Sequence, residues 1–342
     1  MRAKSLSDLA RLSGLSISTI SRALSGHWSV ADGTRERVRE LADEHGYRPN
    51  EMARNLRLQR TNAIGIAWPL GHAVGQHLTD PFFLSLVGHV ADALVMQGYD
   101  IVLSRVLPDA EDWLDRLVDS GKIDGLILIG QSDQADTIAR VARRYPPLVV
   151  WGAALPEAGY PTVGSDNAAG GRVAARHLLD LGRRWFAFVG DPDLPEFGQR
   201  LDGFREVATA AGGAVTVVRT AATFDEADAA VRGWWSDGGR ADALFAASDV
   251  AAIGAMRALV AAGVAVPEEV AIVGYDDVTL AAHTTPGLTT IRQDVAEGAR
   301  LLVAALFERL AGRAAASALL PAELIVRGSS VSGGGVAPTT HG

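Results

Sequence analysis

The sequence predicts an α/β protein: an N-terminal all-α head with a helix-turn-helix, then two doubly wound parallel-sheet subdomains. Three observations predict it. Residues 1–60 hold three short amphipathic helical patterns separated by turn residues. From residue 63 onward, short apolar runs alternate with longer amphipathic stretches, in two successive series. At 342 residues, the chain is also too long for one ordinary core and suits two or three domains.

In the head, Ser5 followed by Asp8 forms a capping-box pair that opens a first helix. Leu6, Leu9 and Ala10 make its apolar side, with Leu12 at the margin. Gly14 breaks this helix and allows a tight turn. Ser16 caps a second helix in which Ile20, Ala23 and Leu24 repeat at helical spacing, and Leu15 can staple its start. Thr34 is expected to cap a third helix, with Val38 and Leu41 facing inward and an end at His45-Gly46. Two short helices across a glycine-containing turn suit either a plain helical bundle with a polar face or a DNA-reading helix-turn-helix. The second helix offers Ile17, Ser18, Ser21 and Arg22 on its exposed side, residue types that meet base edges and phosphates in a major groove.

Charge leans the same way. Residues 1–60 hold 11 Lys and Arg against 7 Asp and Glu, a net of +4, whereas the rest of the chain nets −12. A basic head on an acidic body suits a polyanion partner at the head alone.

In the body, strands are expected at 63–68, 99–103, 125–129 and 148–151, with helices near 82–97, 110–120 and 134–144. The second series places strands near 185–190, 214–219, 243–247 and 270–274, and helices near 167–181, 198–211, 225–236 and 249–262. This spacing means parallel sheets with right-handed crossovers, and a ligand cleft at the carboxyl ends of the strands. No apolar run is long enough to span a bilayer, the N-terminus lacks an apolar signal core, and there is no cysteine. A cytoplasmic location without disulfides is the expectation. No G-x-S-x-G, H-E-x-x-H, Walker or G-x-G-x-x-G motif is present, which disfavours an enzyme, and no cofactor is expected. His72 and His77 share a loop but make a weak metal pair. The tail 331–342, VSGGGVAPTTHG, is flexible by composition and has no leucine heptads.

The runs 6-LSDLARLSGLSISTISRALSG-26 and 34-TRERVRELADEHGYRPNEMARNL-56 form a long, gapless pattern that resembles the head of the lactose-repressor (LacI/GalR) family. The resemblance implies that the second helix lies in the major groove of double-stranded DNA. Ile17, Ser18 and Arg22 would read bases, while Leu6, Ser16, Thr19, Ser21, Ser25, Thr34 and Tyr47 would hold the backbone. The segment 25-SGHWSV-30 departs from the family, with Ser25 where Asn is common and an added Trp28. Residues 50–58 make only about two helical turns, too few for an isolated helix in water. By resemblance they are a hinge helix that pairs with a dimer mate and inserts Leu56 into the minor groove, with Asn50, Ala53 and Arg57 nearby.

The likeness continues through 80-DPFF-83, 165-SDNAAGG-171, 200-RLDGF-204, 248-SDVAAIGAMRAL-259, 273-VGYDD-277 and 287-GLTTIRQD-294. It implies a core similar to periplasmic sugar-binding proteins, with crossings between subdomains near 162–164, 286–294 and 320–325. The expected domains are then a DNA-binding head (1–49), a hinge (50–61) and an effector-binding and dimerisation core (62–330). Within the core, subdomain 1 takes 62–162 and 292–321, with the helix 294–312 returning to it, and subdomain 2 takes 163–291 and 322–330. Arg200 and Asp276 fall at the family's main polar contact positions, and each suits paired hydroxyls. Phe82, Trp151 and Phe224 match wall positions, Gln131 and Ser132 follow a strand end, Ser248 stands where Asn is frequent, and Asp249 supports the cleft. Gly152 replaces the family's usual Asp after the fourth strand. A wall of carboxylate, guanidinium and aromatic groups points to a sugar rather than a purine. The expectation is thus a homodimeric regulator, a repressor on a near-palindromic operator, switched by a small ligand and without a membrane partner. A periplasmic-type transport binding protein and a purine-responsive regulator of the same fold are the alternatives.

Overall fold

The computed structural model describes residues 5–47, 60–69, 79–106, 110–155 and 158–331. The expected hinge residues Asn50, Ala53, Leu56 and Arg57, the pair His72 and His77, and nearly all of the tail lie outside the described residues. The chain divides into two compact units, 1–61 and 62–342.

In the head, α1 (Leu6–Ser13), α2 (Ile17–Leu24) and α3 (Asp32–Glu44) pack around Leu9, Ile20, Ala23, Val30, Val38, Ala42 and Tyr47. Ser5 Oγ accepts from Asp8 N at 3.2 Å, and Ser16 Oγ accepts from Thr19 N at 3.1 Å, so both caps form locally. Gly14 takes φ 71° and returns its N–H to the Ala10 carbonyl at 2.9 Å. Two expectations are corrected. Helix α3 starts at Asp32 behind Ala31, with no side-chain cap, so Thr34 sits inside the first turn and donates its N–H to Ala31. Leu12 is 41% exposed, because its position on an eight-residue helix turns it off the narrow buried stripe.

The body begins with β1 (Ala63–Pro69), α4 (Pro81–Val95), β2 (Asp100–Val106), α5 (Trp113–Val118), β3 (Gly125–Ile129), α6 (Ala135–Arg144), β4 (Leu148–Trp151) and β5 (Thr162–Ser165). The second series is α7 (Asn167–Asp180), β6 (Trp185–Val189), α8 (Pro195–Ala210), β7 (Ala214–Val218), α9 (Phe224–Ser236), β8 (Ala243–Ala246), α10 (Asp249–Ala261), β9 (Ala271–Asp276) and β10 (Thr289–Arg292). It is followed by α11 (Val295–Leu310), β11 (Ala318–Leu320) and β12 (Glu323–Ile325). The first sheet runs β11-β5-β4-β3-β1-β2, all parallel. The second runs β12-β10-β9-β8-β6-β7, parallel except for antiparallel β12. Strands β1, β3 and β4 are buried along their whole length, which is why they read as unbroken apolar runs.

Each sheet reverses its winding between the first and third strand of its series, β1/β3 and β6/β8. Loops on either side of such a point splay apart and leave a crevice at the carboxyl ends. The first crossing falls later than expected. Residues 162–164 belong to β5, which pairs with β4 and β11, so the chain leaves the first sheet only after Ser165. A four-residue strand containing Gly164 carries too little periodicity to announce itself. The other passages lie between Arg292 and Val295 and between Leu320 and Glu323, and α11 packs on α4, β3, β4 and β5 of the first sheet.

Candidate functional site

On the head, α2 divides cleanly. Ile20 and Ala23 are buried, whereas Ile17, Ser18, Arg22 and Ser25 face solvent. Ile17 is 49% exposed, an apolar side chain left out of the head's core on an otherwise polar face. Arg22 Nε reaches back to the Ser18 carbonyl at 3.2 Å, which holds the guanidinium along that face. Ser16 Oγ, besides capping the helix, contacts the hydroxyls of Ser18 (2.9 Å) and Thr19 (2.8 Å). Thr19, Ser21, Thr34 and Leu6 are half-buried, and Tyr47 is buried in the head's core. Trp28, 86% exposed, stacks on His27 in the loop after α2.

In the body, the cleft lies at the carboxyl ends of both sheets and encloses about 740 Å3, counting the space at its mouth. Of the residues expected from the sequence, Phe82, Ser132, Trp151, Arg200, Ser248 and Asp276 line it. Each reaches the cleft by a local device. Asp80 caps α4 by accepting from Phe82 N at 2.9 Å, which fixes Phe82 at the helix start. Trp151 ends β4 and lies over Gly298 of α11, where an added Cβ would come within 2.3 Å of the indole. Ser248 caps α10 through Ala251 N at 3.2 Å.

Arg200 is 5% exposed and heavily engaged. Its Nε donates to Asn167 Oδ1 at 2.8 Å, an Nη donates to the Ala247 carbonyl, and its guanidinium lies 3.6 Å from the Tyr275 ring centroid. Asp276 ends β9 at φ 120°, a conformation few non-glycine residues adopt, with its carboxylate 3.8 Å from Arg200 and accepting from Gln293 Nε2 at 2.6 Å.

Burial pushes the Asp276 carboxyl up to about 7, against the pull of the Arg200 guanidinium and with a further push from Asp80. Asp80 is also raised, by burial, against two backbone N–H groups. A folded carboxyl that keeps its proton to higher pH than an unfolded one stabilises the native state as pH falls through its folded pKa, and loses that contribution as pH rises. The stability difference between the ligand-free protein and an Asp276→Asn variant is therefore expected to shift by about 1 kcal/mol between pH 8 and pH 6, favouring the unsubstituted protein at pH 6. Chemical denaturation at the two pH values reads it. His177, held low by burial, acts in the opposite direction but is common to both proteins.

Three expected residues do not line the cleft. Gln131 is fully buried, donating to the Ala153 carbonyl at 2.7 Å and accepting from Tyr160 at 2.5 Å. Phe224 starts α9 half-buried, with the Arg257 guanidinium 4.9 Å from its ring centroid. Asp249 stands behind the wall, accepting from Thr290 Oγ1 at 2.5 Å and Val278 N at 2.9 Å, and burial together with Asp276 raises its carboxyl well above the ordinary range. Conversely, Trp68, Asp80, Phe83, Glu196, Phe197 and Gln293 line the cleft without having been expected. Glu196 fills the space left by Gly152: its Oε1 accepts from Ala153 N at 3.1 Å, across from the other subdomain. Among the described residues, no group of three or more His, Asp or Glu side chains could hold a metal ion, and no helix is long and apolar enough to cross a membrane.

A helix-turn-helix head followed by a two-sheet body with a polar-aromatic cleft has the make-up of a DNA-binding regulator with a ligand-sized cleft. Residues 5–50 match the model of bacterial regulatory proteins of the lacI family, and residues 175–330 match the periplasmic binding protein-like domain. The chain is 32% identical to the HTH-type transcriptional regulator CelR of Thermobifida fusca over 91% of its own length and 93% of CelR. A solved CelR–cellobiose complex superposes with a TM-score of 0.70 at 30% identity, covering 96% of this chain and 100% of that one. The lac repressor dimer bound to operator and the anti-inducer ONPF shares the fold, with a TM-score of 0.84 at 24% identity over 97% of this chain and 100% of that one. The chain belongs to the lacI family of bacterial regulatory proteins. It is a DNA-binding transcriptional regulator, not an enzyme.

Proposed function

We propose that this regulator is a cytoplasmic homodimeric repressor whose hold on a near-palindromic operator is set by a sugar bound between its two body subdomains. The buried Arg200–Asp276 pair at the cleft wall carries the ligand half of this reading, since a guanidinium and a carboxylate side by side suit adjacent hydroxyls. The cellobiose bound by the CelR relative supports a sugar. On the DNA side, Ile17, Ser18 and Arg22 read bases, while Ser16, Thr19, Ser21, Ser25 and Thr34 meet the backbone around them. Leu6 and Tyr47 support that surface from the head's core, so any backbone contact they make is through their exposed edges or main chain. Two-fold pairing of heads matches a two-fold site.

A mobility shift with DNA upstream of the regulator's own gene tests the reading, with salt-sensitive, sequence-selective binding expected. Replacing Arg22 with Ala is expected to weaken operator binding by roughly 1–3 kcal/mol and to affect random DNA much less. An equal loss on both would place Arg22 on phosphate instead of a base.

A further inference from the structure

Among the described residues, the cleft lining includes one buried side-chain polar group without a partner. Trp68 is next to last in β1 with only 2% of its surface exposed, and among the described residues its indole Nε1 is buried with no hydrogen-bond acceptor. Buried N–H groups are seldom left so, and because Nε1 is covered in the ligand-free protein, a ligand oxygen in the cleft reaches it only after the ring or its cover shifts. The other strong donor, Arg200, has Nε and one Nη already given to Asn167 and Ala247.

Acceptors dominate the rest of the wall. Asp80 comes from the start of α4, Glu196 from the first turn of α8, and Asp276 from the end of β9. Among the described residues, three carboxyl groups thus line the same space as a single guanidinium. Each accepts at least one hydrogen bond within the wall, from Phe82 N, Ala153 N and Gln293 Nε2 respectively.

We propose that the cleft takes an uncharged, hydroxyl-rich glycoside, one oxygen of which accepts from Trp68 Nε1, and excludes the phosphorylated form of the same sugar. This rests on the sugar reading above and sharpens it. A hydroxyl donates to a carboxylate or accepts from a carboxylic acid, so it pairs with the wall in either protonation state. A phosphate ester brings between one and two negative charges at neutral pH and no compensating donors. Inside a low-dielectric cleft it must face the carboxylates or force protons onto them, and either course is unfavourable. Repulsion of this kind sets specificity as firmly as attraction does.

The test is calorimetric titration of the full-length protein with matched pairs: cellobiose and its 6′-phosphate, glucose and glucose 6-phosphate, ribose and ribose 5-phosphate. In any pair that binds, the parent sugar is expected to bind at least on the order of tenfold more tightly than its ester. Trp68→Phe, which keeps a ring and removes the N–H, is expected to weaken the parent sugar on the order of tenfold. Glu196→Gln is expected to narrow the gap between parent and ester, a result that a packing fault at Trp68 could not mimic. An ester that binds as tightly as its parent overturns the proposal while leaving the sugar reading intact. Unchanged affinity in Trp68→Phe overturns the role of the indole. Failure of all six compounds to bind overturns the sugar reading, and the proposal with it.

Discussion

Replacing Arg200 with Ala is expected to abolish the response to effector and to destabilise the body by roughly 3–5 kcal/mol, the usual range for removing one partner of a buried charge pair. The side chain is the meeting point of the second subdomain's wall. Without it, Asp276 keeps Gln293 but loses its nearest cation, Asn167 Oδ1 and the Ala247 carbonyl lose a donor, and the Tyr275 face loses its guanidinium. The Asp276 carboxyl, already raised by burial, then moves further upward, since Arg200 is what pulls it down. Arg200→Lys separates charge from geometry, because a lysine keeps the charge but cannot span Asn167 and Ala247 with a planar fork. It is expected to recover part of the stability and little of the ligand response. Denaturant unfolding and titration with effector read the two effects separately.

Gly171→Ala is expected to cost a similar amount for a purely steric reason. Helices α7 and α8 cross so closely that a Cβ at position 171 would sit 2.0 Å from the Arg200 carbonyl oxygen and 2.8 Å from Phe204 N. Both are backbone atoms, so α8 itself must move. Overpacking of this kind typically costs about 1–3 kcal/mol and more where the backbone must shift. A loss of about 3 kcal/mol corresponds to a fall in Tm of roughly 6–12 °C for a domain of this size. Since α8 carries Glu196, Phe197 and Arg200, the displacement is also expected to weaken effector binding. Gly233→Ala is the control: it lies at an exposed position of α9 with nothing within 4 Å of the added carbon, and helix propensity predicts no loss of stability there.

How far the sequence foretold these features follows from how local their causes are. The three head helices and their serine caps arise from residues three or four apart, and they can be read directly. The cap assigned to Thr34 failed because the chain turned in at Ala31 without using a side chain. Interior strands such as β1 and β3 stand out because both faces are covered, while β5 does not, since its four residues become a strand only by pairing with β4 and β11. In the cleft, Arg200 and Asp276 were accessible through motif position. Trp68 carried a readable signal, closing an apolar run at the carboxyl end of a parallel strand, where ligands gather. Glu196 carried none, because its place depends on the side chain that Gly152 lacks, 44 residues away in sequence. Gln131 turned away for the same kind of reason: Tyr160 and Ala153, distant in the chain, occupy both ends of its amide.

The most direct test of the central claim is the operator affinity of the full-length protein with and without the sugar that binds its cleft, paired with the sugar affinity with and without operator. The sugar is expected to weaken operator binding by roughly 5- to 150-fold, and operator to weaken sugar binding by the same factor. A sugar that saturates the cleft yet leaves operator affinity unchanged would contradict it, for head and cleft would then be independent.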